Sequence, residues 1–360
     1  MNKKTVLIAG GGTGGHIYPG IAIAKAVQKK QPDVEVHFVG TSAGLEGQIV
    51  PREGFPLHFV KVGKLNYSGG LLGKLKTLLL LPVGFIQAIS LLLELKPSLV
   101  LGVGGYASGP VVLIASLMGF PTAIWEPNAF PGMTNRWLSR FVDRCFVVFE
   151  DAMSYLNCED KRKVGLPVRA EVEAIGSQAR VASDEFHILV FGGSQGARAI
   201  NNAVAEAVAM GGDWLKGVRL VHQTGRYDFE RIKSIYQQNV QAAVDCREYL
   251  HDMEKQYSWA DLVICRAGAS TVAEIAACRK PAIFIPLPTA ADDHQRKNAE
   301  SLVEKRAAQM LLQKDLTPQS LIQLIEQVKK DTQSQQEMRE NLRHFHQNQA
   351  AEKIAELILD

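Results

Sequence analysis

Short apolar runs recur along this 360-residue chain, and each stops at glycines or a polar turn before a stretch with helical spacing. Thr5–Ala9 ends at Gly10. Ile17–Lys29 then follows with helical periodicity, and Pro19 is suited to a first turn. Val34–Val39, Leu57–Val62, Leu99–Val103 and Thr122–Trp125 read as further strands. Strands separated by helices imply a parallel sheet with crossover connections. The same grammar restarts at Phe186–Phe191, which runs into Gly192-Gly193-Ser194-Gln195-Gly196 and a helix from Ala197. Val218–His222, Leu262–Cys265 and Ala282–Ile285 continue it. The pattern predicts an α/β protein of two doubly wound, Rossmann-like domains facing a cleft between the carboxyl ends of their strands. The polar stretch Ser177–Glu185 is one candidate junction, and Gly165-Leu166-Pro167 is an earlier one. The tail Ala350–Leu359 places Ala351, Ile354, Leu357 and Ile358 on one helical face, which must dock somewhere.

Two long apolar stretches raise the question of a membrane span. Thr77–Leu93 is uncharged but contains Pro82, Gly84 and Gln87, and Pro97–Trp125 is cut by glycines and by Pro110 and Pro121. Neither is expected to cross a bilayer. The apolar run Val6–Ala9 is too short for a signal peptide, so no export signal is expected. Cys145, Cys158, Cys246, Cys265 and Cys278 form no CxxC pair and no His/Cys cluster, which disfavours a disulfide framework or a zinc site and fits a reducing compartment. A net charge of +3 is too small to argue for nucleic acid. Residues 1–96, however, carry 11 Lys/Arg against 5 Asp/Glu, so the first domain is basic.

The candidate chemistry lies where strands end. Gly10–His16 (GGGTGGH), Gly102–Pro110 (GVGGYASGP) and Gly192–Arg198 (GGSQGAR) each follow a strand and open a helix. Glycines allow a tight turn with exposed N–H groups, and the helix that follows presents its positive dipole end, so all three suit a phosphate or a developing anion. Gly10-x-Gly12-x-x-Gly15 fits a dinucleotide fingerprint, but the next strand ends in Gly40-Thr41 and the nearest acid is Glu46, which disfavours NAD. No GxxxxGK[ST] occurs, which excludes ATP in a P-loop. A fourth element runs from Cys265 to Glu274, where Ser270 is expected to cap a helix. Glu274 could complete a capping box or accept hydrogen bonds from a sugar's vicinal hydroxyls.

The segments Gly11–Gly20, Gly104–Pro110, Gly192–Arg198 and Gly268–Glu274 occur in the order seen in the MurG family of peptidoglycan N-acetylglucosaminyltransferases, which the whole chain resembles. The resemblance implies a GT-B fold, UDP-N-acetylglucosamine as donor, and lipid I, the undecaprenyl-linked muramoyl-pentapeptide, as acceptor. Transfer to the muramoyl C4 hydroxyl with inversion would give lipid II for cell-wall synthesis, without a cofactor. By motif, the donor set comprises Thr13, Gly14, Gly15, Asn128, Arg169, Ser194, Leu250, Ala269, Ser270, Thr271, Val272, Ala273, Glu274 and Gln295. Glu274 would hold the ribose, Gln295 the sugar, and Ser194 and Thr271 the diphosphate. Gly104, Gly105 and Tyr106 fall on the acceptor side. Residues 1–165, with 345–360 packing back, would form the acceptor and membrane-facing domain, and 166–344 the UDP-sugar domain. The chain departs from the family at Trp125-Glu126-Pro127-Asn128, where His-Glu-Gln-Asn is common, and at His294, where a second glutamine is common.

Inverting transfer needs a base and stabilisation of the leaving diphosphate. His16 is the candidate base, and Glu126 could orient or replace it. No DxD-type acidic cradle is evident, so no metal is expected, and the charge on UDP would fall to backbone N–H groups and the helix after Gly196. Lys61, Lys64, Lys74 and Lys76 lead into an apolar face of Leu71, Leu72, Leu75, Leu78, Leu79 and Phe85, suited to the headgroup layer of an anionic membrane, while Ile86–Leu93 is expected to be core. The expected location is peripheral, on the cytoplasmic face of the plasma membrane. Partner proteins of the cell-wall machinery are left open. Two rivals remain: a transferase using the same donor on a diacylglycerol-type acceptor, and a nucleotide-sugar-binding subunit without chemistry.

Overall fold

A computed structural model describes residues 4–12, 14–42, 44–62, 70–105, 107–178, 183–239 and 242–360, with backbone only for 70–81. The chain divides into two units, Met1–Pro167 with Gln349–Asp360, and Val168–Asn348.

The first unit contains β1 (Thr5–Gly10), α1 (Gly14–Lys30), β2 (Glu35–Gly40), α2 (Glu46–Arg52), β3 (Leu57–Phe59), α3 (Gly70–Leu95), β4 (Leu99–Gly104), α4 (Ser108–Leu117), β5 (Thr122–Glu126), α5 (Met133–Leu138), β6 (Arg144–Val147) and β7 (Asp160–Lys163). Its seven strands pair in parallel in the order β3-β2-β1-β4-β5-β6-β7. β1 and β4 are buried along their whole length, as continuous apolar runs require when helices cover both faces of a sheet. They pair with Ile8 opposite Leu101 and, after a register shift between Ala9 and Gly10, with Gly10 opposite Gly104. The topology reverses between them, so the first two glycine loops emerge side by side at the switch point.

The second unit contains α6 (Ala170–Ile175), β8 (Phe186–Phe191), α7 (Arg198–Met210), β9 (Val218–Gln223), α8 (Phe229–Gln237), β10 (Ala243–Arg247), α9 (Met253–Trp259), β11 (Leu262–Cys265), α10 (Ala269–Cys278), β12 (Ala282–Phe284), α11 (His294–Glu304), β13 (Gln309–Met310), α12 (Pro318–Lys330) and α13 (Thr332–Leu342). Its parallel order is β10-β9-β8-β11-β12-β13, so the Gly192–Arg198 loop and the start of α10 share the second switch point. A core of Ile188, Val190, Ile200, Val204, Ile264 and Ile325 holds one helical layer to this sheet. The last helix, α14 (Ala350–Leu359), belongs to the first unit, where it packs on α1. Ile354 and Ile358 are buried, and Lys30 pairs with Glu356 at 2.8 Å. Lys4 Nζ (2.9 Å from Leu359 O) and the Arg144 guanidinium donate to carbonyls of its last turn, the end where cations are favoured.

Several expectations need correction. Leu57–Val62 is a strand only to Phe59, after which Val60 N–H makes one last bond to Gly40 O at 3.0 Å. Pro82 does not interrupt Thr77–Leu93, since α3 runs on through it. Gly84 lets this helix meet the chain after β3, because a Cβ there would lie 2.6 Å from Lys61 O. Ile86–Leu93 is not all core: Ala88, Leu91 and Leu92 face inward, whereas Ile86 and Leu93 are 66% and 57% exposed. The apolar face proposed over Leu71–Leu79, and Lys64, Lys74 and Lys76, lie outside the described side chains. No helix among the described residues is long and apolar enough to cross a membrane.

Candidate active site

In the first unit, His16 sits in the first turn of α1 with its ring half-buried. Its Nδ1 lies 3.3 Å from Gly11 O. The ring packs on Gly104, where a Cβ would stand 2.8 Å from Cδ2 and 2.9 Å from Nε2. The two loops also touch directly. Gly11 N–H donates to Gly104 O at 3.3 Å, and a Cβ on Gly105 would overlap Gly11 O. Thr13 and Tyr106 lie outside the described residues.

Glu126 ends β5, 2% exposed. Its Oε1 accepts from the Asn128 N–H (2.9 Å) and Nδ2 (3.1 Å), and its Oε2 from the Gly132 N–H (3.1 Å) and Asn135 Nδ2 (2.8 Å). Burial pushes this carboxyl up, while the four donors favour its charged form. A carboxylate enclosed by four donors organises the loop from Pro127 to Asn135, and this placement argues against Glu126 as a replacement base. Pro127 is accommodated because the carboxylate reaches past it to the N–H of Asn128.

Sequence reasoning missed the role of Glu46. It is 1% exposed; its Oε2 accepts from the Gly12 N–H at 2.8 Å, and its Oε1 from the Thr41 N–H (2.8 Å) and hydroxyl (3.0 Å). Burial raises its pKa, but these hydrogen bonds outweigh burial and leave the carboxyl below its ordinary value. The fingerprint's nearest acid therefore grips the glycine loop itself. The signal was present as three glycines, since a Cβ at Gly11, Gly40 or Gly44 would overlap or crowd this one side chain.

In the second unit, a cavity of about 420 Å³ opens at the β8/β11 switch point, lined by Gly193, Gly196, Arg198, Thr271, Leu287 and Gln295 among others. Gly196 seats the loop on Thr224, whose carbonyl oxygen a Cβ would overlap, at a left-handed φ of 76°. The Gln223 side chain ties two segments of the site together. Its Nε2 donates to Gly193 O (2.8 Å) and its Oε1 accepts from Leu250 N–H (3.2 Å). Arg266 fixes a third segment by donating to Ile285 O and Pro286 O, each at 3.0 Å, and Leu287 N–H donates to Gln295 Oε1 at 3.0 Å. A larger cavity, about 570 Å³, lies along the β9–β10 edge beside Trp259 and includes none of these loops.

Glu274 does not cap α10. The N-cap is Gly268, with no side-chain cap, and Ser270 is exposed, so the expected Ser270 cap is absent. Instead, Glu274 Oε2 accepts from the buried Tyr257 hydroxyl at 2.9 Å, and Oε1 lies 3.4 Å from Arg169, which also approaches Glu254 at 3.8 Å. Burial, and then the charge of Glu274, holds the Tyr257 phenol well above its ordinary value, so it remains a donor. Val272, Ala273 and Leu250 turn their side chains into the core, leaving only backbone for a ligand, whereas Ser194 is exposed and Ala269 and Thr271 are half-buried. Gln223, Tyr257 and Arg266 carry no motif of their own, and only their partners reveal them. Among the described residues, no three His, Cys, Asp or Glu side chains assemble as metal ligands.

The chain matches the glycosyltransferase family 28 N-terminal domain over residues 6–147 and the C-terminal domain over residues 187–358. The UDP-N-acetylglucosamine–N-acetylmuramyl-(pentapeptide) pyrophosphoryl-undecaprenol N-acetylglucosamine transferase of Bdellovibrio bacteriovorus is 55% identical over 357 residues, covering 99% of both chains. The protein of the same name from Myxococcus xanthus is 44% identical, covering 99% of this chain and 92% of that one. Acinetobacter baumannii MurG superposes with a TM-score of 0.83 at 30% identity over 99% of each chain. The kitacinnamycin glycotransferase, at TM-score 0.69 and 16% identity over 99% of this chain and 98% of that one, shares the fold. With both family domains present and such identity along nearly its whole length, the chain belongs to glycosyltransferase family 28 and, within it, to the MurG family, whose two Rossmann-like halves make the GT-B fold.

Proposed function

We propose that this chain transfers N-acetylglucosamine from UDP-N-acetylglucosamine to the C4 hydroxyl of the muramoyl sugar of lipid I, with inversion, giving lipid II. The names of its full-length relatives support the substrates. The observation that carries the donor site is the β8/β11 switch point. There a cavity meets the entry of α7, and nearby a carboxylate, Glu274, is already oriented by Tyr257. Vicinal ribose hydroxyls would donate to Glu274, Gln295 would contact the sugar, and Ser194 and Thr271 would lie beside the diphosphate. Arg169, Asn128, the backbone at Leu250 and Ala269–Ala273, and the first turn of α1 at Gly14 and Gly15 complete the set.

In the reaction, His16 takes the proton from the acceptor hydroxyl as that oxygen attacks the anomeric carbon. The bond from the anomeric carbon to the phosphate oxygen breaks, and its electron pair leaves with UDP. The N–H groups at the starts of α7 and α10 meet the charge that develops there. Glu126 holds the loop that carries Asn128.

The enzyme works as a peripheral protein at the cytoplasmic membrane surface. Exposed Ile86 and Leu93 on α3, Leu117 (68% exposed) on α4 and Trp137 (64% exposed) on α5 support this, because α4 packs against both other helices and Lys96 and Arg140 are exposed close by in sequence. Turnover with UDP-N-acetylglucosamine and a short-chain lipid I analogue tests the proposal, and the expected product carries one added N-acetylglucosamine. Transfer to a diacylglycerol acceptor alone, or donor binding without turnover, would overturn it.

A further inference from the structure

The mechanism above gives no part to the buried carboxylate of Glu46. It grips the Gly12 N–H, and His16 Nδ1 meets the carbonyl of Gly11. The C=O of Gly11 and the N–H of Gly12 belong to one peptide group. The carboxylate, the peptide and the imidazole therefore form one chain of hydrogen bonds. A carboxylate accepting from the amide hydrogen polarises the amide and strengthens its oxygen as an acceptor. The acceptor it faces is met by Nδ1, so Nδ1 carries the proton and Nε2 the lone pair. We propose that Glu46 is a positioning residue for the base, setting the tautomer and ring orientation of His16 through the peptide group between Gly11 and Gly12. This rests on the reading of His16 as the base.

The surroundings are built for this geometry. The two Thr41 donors anchor Oε1, which fixes the direction of Oε2. Gly11, Gly40 and Gly44 vacate the volume the carboxylate fills, and Gly104 vacates the volume beneath the imidazole. A carboxylate that only braced the loop would have no reason to share a peptide with the histidine's own acceptor.

Two substitutions separate the possibilities. Glu46→Gln keeps the shape and removes the charge. Gly44→Ala keeps the charge but pushes the carboxylate off the Gly12 N–H, because a Cβ there would overlap Oε2 and the Gly44 backbone is not left-handed. The probe is protein labelled with ¹⁵N-histidine, with the His16 ring nitrogens assigned by their loss in His16→Ala and read at a pH where the ring is neutral. Wild type is expected to show the Nδ1–H tautomer. Both variants should gain the Nε2–H tautomer and lose about 10- to 100-fold in kcat, by analogy with the loss when the hydrogen-bond partner of a metal-bound histidine is removed, with KM for UDP-N-acetylglucosamine within about twofold of wild type. A wild-type Nε2–H tautomer would overturn the proposal without any variant. So would an unchanged tautomer in a folded variant, even with a fall in kcat, since Glu46 would then be a brace only. Retention of kcat by His16→Ala would sink the base reading instead, and the tautomer data would still decide what Glu46 does.

Discussion

The two units build their switch points from similar sequence and fill the space behind them differently. Behind the first glycine loop of unit one stands a charged group, Glu46, which consumes the Gly12 N–H. Behind the corresponding loop of unit two stand neutral groups, the Thr224 carbonyl under Gly196 and the Gln223 amide on Gly193 O. Asp228, joined to the first turns of α7 through Asn201, is paired with Arg198 at 3.3 Å and Arg231 at 3.0 Å. A loop that already carries an internal anion is poorly suited to a second one, whereas a loop backed by neutral groups keeps its positive helix end for a ligand. The shared glycine physics therefore suits a diphosphate in unit two and a positioned histidine in unit one.

The largest effect should come from His16. His16→Ala is expected to lower kcat by roughly 10²- to 10⁴-fold, with donor affinity changed far less. If steady-state kinetics instead showed lost affinity at full kcat, the division of labour between the units would fail. On the other side, Glu274→Ala should raise KM for UDP-N-acetylglucosamine at least about tenfold, since hydrogen bonds to a charged group contribute about 1.5–3 kcal/mol. An unchanged KM would remove Glu274 from the donor site.

Glu126→Gln sharpens the contrast within unit one. The amide turns two of its hydrogens toward groups that are themselves donors, so unfolding free energy should fall by about 1–3 kcal/mol without substrate. A loss of kcat with unaltered denaturant stability would return Glu126 to candidacy as the base. Tyr257→Phe is expected to raise the donor KM by about three- to tenfold. The effect should vanish with a 2′,3′-dideoxyribose donor, and a persistent effect would make Tyr257 a packing residue only. The smallest change concerns the apolar face. Ile86→Ser with Trp137→Ser should weaken sedimentation with anionic vesicles about fivefold, in keeping with roughly 1 kcal/mol of lost apolar burial. Equal binding would place the membrane contact elsewhere.

The central strands were legible because β1, β4, β5 and β11 are buried throughout and β8 at every position but His187, and a nearly unbroken apolar run leaves few other solutions. The edge strands β7 and β10 were not. β7 reads Asp160-Lys161-Arg162-Lys163 and β10 reads Ala243-Val244-Asp245-Cys246-Arg247, both held in the sheet by backbone bonds that leave no apolar pattern. Ile86 and Leu93 were misassigned for a related reason. Composition shows that α3 is apolar on most sides, but only its packing against α4 decides which sides are covered.

By itself, the sequence determined where strands end in glycines, which helices begin there, and which family the order of those motifs resembles. Those features depend on local backbone freedom and apolar periodicity, which are written residue by residue. The tertiary structure decided what stands behind each loop. Glu46 and Gly12 are 34 positions apart, Gln223 and Gly193 30, and Glu274 and Tyr257 17. A polar side chain carries no periodic signature, and its partner is chosen by the fold that brings distant backbone and carboxylate together out of water, where a hydrogen bond left unmade is costly.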